Sequence, residues 1–147
     1  MNFFCRTIKV HFIGIGGVSM SGLAKYLLLK NFSISGSDIL QSNETDNLQR
    51  LGVKIEFDKS CNLVKDCDVV VYTSAIKSDN KELMLAKELK KAIYSRAKLL
   101  SLILSSFNKS IGIAGSHGKT TTTSMLAHIL KCANTNFTAF IGGNDKE

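Results

Sequence analysis

Residues 115–120 read Gly-Ser-His-Gly-Lys-Thr, a glycine-rich loop that ends in a lysine and a hydroxyl group. The loop follows the apolar run 110–114 and precedes residues 120–131, in which apolar side chains recur at helical spacing. Backbone N–H groups of such a loop surround a polyphosphate, a lysine reaches its β- and γ-phosphates, and the hydroxyl binds Mg²⁺. Ile113 stands where a strict Walker A pattern has its first glycine. The context of strand, loop and helix nevertheless predicts a nucleotide-binding loop, with Lys119 and Thr120 in these two roles.

Another glycine-rich turn, residues 14–19, lies near the start of the chain and reads Gly-Ile-Gly-Gly-Val-Ser. The first glycine permits a tight turn, and the second lets a phosphate approach the N–H groups at the start of a helix. Ser19 takes the place of the usual third glycine. Asp38 follows 19 residues later, where a dinucleotide-binding fold has its ribose-binding acid. The pattern predicts a ribose-diphosphate ligand and leaves NAD and a UDP-sugar both open, as well as a tight turn that binds nothing.

Both turns require a strand before them and a helix after them, and such patterns alternate along the chain. Apolar and β-branched runs predict strands at 7–15, 32–36, 53–57, 68–74, 110–114 and 137–141. Helical spacing predicts helices at 19–30, 44–51, 80–89, 97–105 and 120–131. The alternation predicts the α/β class, a Rossmann-like parallel sheet followed by the truncated start of a P-loop ATP-binding domain. We place the first domain at 1–107 and the incomplete second one at 108–147, because about 40 residues are too few for a typical domain.

The charge and composition exclude several classes of protein. The net charge is +7, but the 16 lysines are spread along the chain without interleaved aromatic residues, which argues against nucleic-acid binding. The densest apolar stretch, 99–104, is far too short to cross a bilayer. Cys5, Cys61, Cys67 and Cys132 form no Cys-x-x-Cys pair, and no convincing secretion signal is present. We therefore expect a cytoplasmic protein with reduced thiols, without a membrane or nucleic-acid partner.

Five segments extend the pattern beyond the two glycine turns. They are His11–Ala24, Ser35–Asp38, Thr73–Ile76, Ala114–Thr123 and Phe140–Gly143. In these segments, which are spread over the whole chain, the sequence resembles the Mur ligase family. The histidine that precedes Gly-Lys and the four consecutive threonines after it make the resemblance specific. The first turn and Thr73–Ile76 favour the alanine-adding branch over the related ligase that attaches a recycled peptide.

The resemblance implies a three-domain enzyme whose domains hold, in order, a UDP-sugar, ATP and an amino acid. The family's reaction uses ATP and Mg²⁺ to phosphorylate the carboxylate of UDP-N-acetylmuramate, and the amine of L-alanine then attacks the acyl phosphate. By motif, Lys119 would be catalytic, Thr120 would lie near Mg²⁺, and His117 would shape the loop rather than transfer a proton. The ATP-binding residues would be Gly115, Ser116, His117, Gly118, Lys119, Thr120 and Thr121. The residues around the uridine diphosphate would be Gly14, Gly16, Gly17, Ser37, Asp38 and Ser74.

The chain departs from the family pattern at several positions. Ser19 and Ser116 replace a usual glycine and a usual threonine, Lys98 replaces a usual acid, and prolines are missing near Ile93 and Ser95. The family's later Mg²⁺-binding residues and its amino-acid domain are absent, so we expect no turnover by these 147 residues alone. A separate chain that carries the remaining domains would be a partner. One alternative is a non-catalytic UDP-sugar-binding module. The other is a small NAD-dependent oxidoreductase, and the Gly-Lys-Thr loop argues against this second alternative, because a dehydrogenase does not need it.

Overall fold

A computed structural model of the chain describes residues 7–58 and 60–142. The strands of this part are β1 (Lys9–Ile13), β2 (Ser33–Ser37), β3 (Lys54–Glu56), β4 (Val69–Tyr72) and β5 (Ala92–Ser95). Its helices are α1 (Val18–Leu29), α2 (Asn43–Arg50), α3 (Asn62–Asp66), α4 (Lys81–Glu88), α5 (Arg96–Ser105) and α6 (Lys119–Cys132). The strands form one sheet in the order β3-β2-β1-β4-β5, and every pairing is parallel. The predicted α/β class with a Rossmann-like parallel sheet is confirmed.

Successive side chains of β1 point to opposite faces of the sheet and so divide the core into two layers. Phe12 faces the layer formed by α1, α2 and α5, where it packs among residues such as Leu23 and Ile103. Ile13 belongs to the opposite layer, with Val64 at α3 and Leu83 on α4. Because helices cover both faces, the central strands are buried on both sides, which is why β1 and β4 are rich in apolar residues.

Side-chain caps determine where three of the helices begin. The Ser42 hydroxyl accepts a hydrogen bond from the Thr45 backbone N–H, and the Thr45 side chain accepts one from the Ser42 N–H in return. Asn80 caps α4 by accepting from the Leu83 N–H, and Ser95 caps α5 in the same way. Each such cap contributes about 1 kcal/mol. The caps therefore anchor α2, α4 and α5 at the edge of the sheet where the strands end.

Two of the predicted strands are absent from the described residues. Segments 110–114 and 137–141 have strand-like composition, but neither is hydrogen-bonded into a sheet. A strand depends on a neighbouring strand for its backbone hydrogen bonds, and the five-stranded sheet has its neighbours from β1 to β5 alone. These strand predictions were wrong because local composition does not supply a pairing partner. Instead both segments line a cavity of about 390 Å³ together with α5 and α6.

Two short elements were missed by the sequence prediction. Strand β5 has four residues between charged neighbours and is defined by its pairing with β4, from Val69 opposite Ala92 to Tyr72 opposite Ser95. Helix α3 has five residues, too few to show a helical apolar period. Each element is too short for its hydrophobic periodicity to carry a signal.

Residues 1–6, Lys59 and 143–147 lie outside the described part, and with them Cys5 and Gly143. Within the described part, no helix combines the length and the apolar character needed to span a membrane.

Candidate functional site

The predicted UDP-sugar residues come together where the parallel strands end. Strand β1 runs into the turn that begins at Gly14, β2 ends at Ser37, and Thr73 follows β4 directly. From β1 the chain continues to β2 and β3 on one side of the sheet and then crosses to β4 on the other side of β1. The topological switch point of the sheet therefore lies between β1 and β4. Open α/β sheets bind ligands in the crevice outside the strand ends at such a switch point.

The first glycine turn folds back onto the end of β2. The backbone N–H groups of Gly14 and Ile15 both donate to the Ser37 carbonyl, at 2.8 and 3.0 Å. Gly14 has a φ of +80°, and a side chain there would come within 3.2 Å of the Thr73 methyl group. Glycine is therefore required at residue 14 by backbone conformation and by contact with the residue that follows β4.

Asp38 holds the middle of the turn. Its Oδ2 accepts a 2.7 Å hydrogen bond from the Gly16 N–H, and its Oδ1 accepts one of 2.7 Å from the Ile39 N–H. A Cβ at residue 16 would lie 2.8 Å from Asp38 Oδ2 and 3.0 Å from the Thr45 methyl group. Gly16 thus allows the side chains of Asp38 and Thr45 to approach the turn. The pattern of glycines and acid could not reveal this contact between them.

The start of α1 is open to solvent on the other side of the turn. Gly17 is the N-cap residue and makes no side-chain cap, and no acidic residue lies in the first turn of the helix. The guanidinium of Arg96, at the start of α5, donates to the Ser19 hydroxyl at 2.9 Å. The N–H groups of a helix start and a nearby cation both favour anionic groups. Arg96 is a candidate site residue that sequence analysis missed, because it lies 77 residues from Ser19.

Ser37 and Ser74 differ in their surroundings. The Ser37 side chain is buried and donates to Glu82 Oε2 at 2.7 Å, so it points away from the turn that its carbonyl holds. Ser74 is exposed in the turn that follows β4. In that turn the Thr73 hydroxyl accepts from the Ala75 N–H. Contacts of Ser37 and Ser74 with a ligand stay predictions.

The second glycine loop is exposed and precedes α6. Gly115 and Gly118 have φ values of +156° and +77°. The Lys119 ammonium folds back over the loop and donates to the carbonyls of Gly115, at 2.6 Å, and Ser116, at 3.2 Å. The Thr123 hydroxyl bonds to the Lys119 carbonyl within the helix, so it serves the helix backbone. The loop, the lysine and the helix start are therefore adjacent, as the spacing predicts, and Thr120 and Thr121 lie exposed in the first turn of α6.

Comparisons with known proteins match both parts of the chain to one family. The Mur ligase family catalytic domain matches residues 9–108, and the Mur ligase middle domain matches residues 113–147. A UDP-N-acetylmuramate–L-alanine ligase of Clostridium botulinum (strain Loch Maree / Type A3) is 50% identical over 135 residues, which are 92% of this chain and 30% of that protein. Another ligase of this name, from Clostridium kluyveri, is 47% identical over 142 residues, covering 96% of this chain and 31% of that protein. The chain thus spans about a third or less of the length of these relatives.

Solved structures extend the likeness to the fold. The crystal structure of the UDP-N-acetylmuramate–alanine ligase of Thermotoga maritima superposes with a TM-score of 0.87 at 35% identity, covering 92% of this chain and 32% of that one. A murein peptide ligase from Psychrobacter arcticus superposes with a TM-score of 0.80 at 30% identity, covering 86% and 27%. The family domain matches well over half of the residues, including the whole five-stranded sheet. The chain therefore belongs to the Mur ligase family.

Proposed function

We propose that this chain is the UDP-sugar-binding part, and the start of the ATP-binding part, of a ligase that joins L-alanine to the carboxylate of UDP-N-acetylmuramate. The observation that carries the proposal is the turn at 14–17, held by Asp38 and Ser37 at the sheet's switch point. The names of the relatives at 50% and 47% identity support the choice of substrates. The proposed reaction is a step of peptidoglycan precursor synthesis, and we place it in the cytoplasm.

The first site would take the uridine diphosphate. The free helix start at Gly17 and the Arg96 guanidinium would face its phosphates, while Asp38 offers a carboxylate to ribose hydroxyl groups. Gly14, Gly16, Ser37 and Ser74 complete the set that the family motif assigns to this ligand. Binding would be dominated by backbone donors, because the turn has few side chains of its own.

The second site would take ATP with Mg²⁺. The loop fits a polyphosphate, because its donors are backbone N–H groups and one ammonium group. The Lys119 ammonium would turn from the carbonyls of Gly115 and Ser116 to the phosphates when the nucleotide binds. Mg²⁺ keeps several waters and takes phosphate oxygens, so the single Thr120 hydroxyl suffices as a protein ligand from this loop. ATP would supply the phosphoryl group that activates the muramic acid carboxylate for attack by L-alanine. In this step Lys119 neutralises phosphate charge, for which we call it catalytic.

The domain division that we propose places residues 1–107 in the UDP-sugar-binding domain and 108–147 in the ATP-binding domain. The two family matches, 9–108 and 113–147, support a boundary near residue 108. The relatives extend well beyond the part matched here. We propose that turnover needs this further length, on the same or a separate polypeptide, since the L-alanine site would belong to it.

Calorimetric titration of the purified chain with UDP-N-acetylmuramate, NAD and MgATP tests the proposal. We expect the UDP-sugar to bind and NAD not to bind. NAD binding without UDP-sugar binding would favour an oxidoreductase and overturn the ligase assignment. UDP-sugar binding without MgATP binding would favour a UDP-sugar-binding module for these residues taken alone.

Substitution of two neighbouring glycines separates folding from ligand contact. A Cβ at residue 17 meets no atom closer than 3.7 Å, whereas one at residue 16 meets Asp38 at 2.8 Å. Gly17→Ala should therefore lower the free energy of unfolding by no more than about 1 kcal/mol, the scale of an altered N-cap. Gly16→Ala should cost about 1–3 kcal/mol, because Asp38 and Thr45 have to move. Urea denaturation measures both values.

The affinity of the Gly17→Ala variant for the UDP-sugar then reports whether the phosphates bind at the start of α1. If they approach the helix start, the added methyl group should weaken binding about tenfold, the cost of one displaced charge-assisted hydrogen bond. Unchanged affinity in a normally folded Gly17→Ala variant would place the diphosphate elsewhere.

A further inference from the structure

A buried polar cluster lies beneath the candidate UDP-sugar site, on the face of the sheet covered by α3 and α4. Its buried members are His11 on β1, Ser37 on β2 and Glu82 in the first turn of α4, and the half-buried Ser35 of β2 lies at its edge. His11 is 0% exposed, and Ser37 and Glu82 are each 5% exposed. Burial of such groups is costly unless they are hydrogen-bonded to each other.

Glu82 is the centre of this cluster, because each of its carboxylate oxygens has one partner. His11 Nε2 lies 3.0 Å from Oε1, and the Ser37 hydroxyl donates to Oε2 at 2.7 Å. Because carboxylate oxygens accept hydrogen bonds, His11 Nε2 is the donor towards Glu82, and His11 Nδ1 lies 3.0 Å from the Ser35 hydroxyl. The cluster is thus fully paired through residues from three separate elements.

Ser37 connects this cluster to the glycine turn. Its side chain is bound to Glu82, while its carbonyl accepts from the N–H groups of Gly14 and Ile15. The next residue, Asp38, accepts from the Gly16 N–H. A shift of Ser37 would therefore move three consecutive amide groups of the turn.

Glu82 also lies on the side of the site formed by the turn after β4, which we call the Ser74 wall. Helix α4 follows the turn that contains Ser74, and its N-cap Asn80 fixes the start of the helix through the Leu83 N–H. The hydrogen bond between Glu82 and Ser37 therefore connects the Ser74 wall to the end of β2. Apolar residues of similar volume would pack on this face, as Ile13 and Leu83 do, but they would not define the position of Ser37.

We propose that Glu82 is a positioning residue of the candidate UDP-sugar site. Through Ser37 it holds the turn at 14–17 and the end of β2 in the geometry that receives the ligand, and it does not itself contact the ligand. The predicted loss of affinity for the UDP-sugar rests on the proposed function. The predicted loosening of the turn at 14–17 is independent of that function.

Three variants test this role by geometry. Glu82→Asp keeps the charge but shortens the side chain by one carbon–carbon bond, so it cannot reach both His11 and Ser37. Glu82→Gln keeps the length and can accept from His11 while its amide donates to the Ser37 hydroxyl. Leu83→Ala, the control, removes buried packing from the same helix without touching the cluster.

The first measurement is residue-resolved amide hydrogen exchange without ligand, with the amides of β4, which carries no member of the cluster, as the internal reference. In Glu82→Asp we expect Gly14, Ile15 and Gly16 to exchange at least about tenfold faster relative to the reference, the loss of one buried charge-assisted hydrogen bond. Glu82→Gln should stay within about threefold of the unaltered chain. Leu83→Ala should accelerate the turn and the reference alike. Equal acceleration of turn and reference in Glu82→Asp would overturn the proposal.

The second measurement is the affinity for UDP-N-acetylmuramate by calorimetry. We expect about tenfold weaker binding for Glu82→Asp, with binding by Glu82→Gln and Leu83→Ala close to that of the unaltered chain. Full affinity in Glu82→Asp would overturn the positioning role at this site. If the unaltered chain does not bind the UDP-sugar, the proposed function fails, and the exchange data still decide whether Glu82 holds the turn.

Discussion

Replacement of Gly36 by alanine should lower the free energy of unfolding by up to about 3 kcal/mol, the upper range for overpacking in a core. A Cβ at this position would lie 2.6 Å from Ile15 Cδ1, 2.8 Å from Ile15 Cβ and 2.9 Å from the Phe12 carbonyl oxygen. Ile15 and Phe12 are both 0% exposed, so neither has room to move aside. The turn after β1 packs Ile15 directly onto β2, and only glycine leaves space for it. Urea denaturation followed by circular dichroism measures the change.

Gly22→Ala is the matched control for this prediction. Gly22 lies within α1, and a Cβ there meets no atom within 4 Å. Alanine in a helix interior is favoured over glycine by about 1 kcal/mol, so this variant should be as stable as the unaltered chain or more stable. If Gly36→Ala were as stable as Gly22→Ala, the close packing of Ile15 against β2 would be contradicted.

Replacement of Lys119 by alanine should weaken MgATP binding about a hundredfold, the scale for removing one member of a close charge pair. The same change should leave the unfolding free energy within about 0.5 kcal/mol, because Lys119 is an exposed side chain. Its two hydrogen bonds go to exposed loop carbonyls that water can serve equally well. Binding and stability should therefore respond independently, which calorimetry with MgATP and urea denaturation together resolve.

Lys131→Ala is the corresponding control, since Lys131 lies in the last turn of the same helix. It removes the same charge from the chain at the end of α6 remote from the loop, so MgATP affinity should be unchanged. Equal affinities for the Lys119→Ala variant and the unaltered chain would contradict the assignment of the loop. The absence of MgATP binding in the unaltered chain would instead favour the UDP-sugar-binding module for these residues taken alone.

Local patterns predicted most of the fold because its elements are locally encoded. The helix after Gly17 and the helix after Gly118 follow from apolar spacing and a glycine-rich start, and both are present as α1 and α6. The apolar run Val69–Tyr72 predicted a buried parallel strand, and β4 lies between β1 and β5. The wrong predictions are the strands at 110–114 and 137–141, where composition was suitable but no partner strand is present among the described residues.

The candidate site was predicted only in part, because sequence patterns reveal residues that lie close together along the chain. Asp38 and the glycines were found because they lie within a short motif of fixed spacing. Arg96 was missed because its partner Ser19 is 77 residues away in the sequence. Glu82 was missed because its contact with His11 spans 71 residues, although a histidine within the apolar strand Lys9–Ile13 was a signal that a buried partner must exist.

The sequence by itself determined most of the strands and helices, the two glycine-rich turns and the family, because these depend on neighbouring residues and short spacings. The tertiary structure decided what the side chains at the turn do. It committed the Asp38 carboxylate to the Gly16 N–H and the Ser37 hydroxyl to Glu82, and it made Gly36 indispensable to the packing of Ile15. These relations join residues that are distant along the chain, and parallel strand pairing brings them into contact at one edge of the sheet.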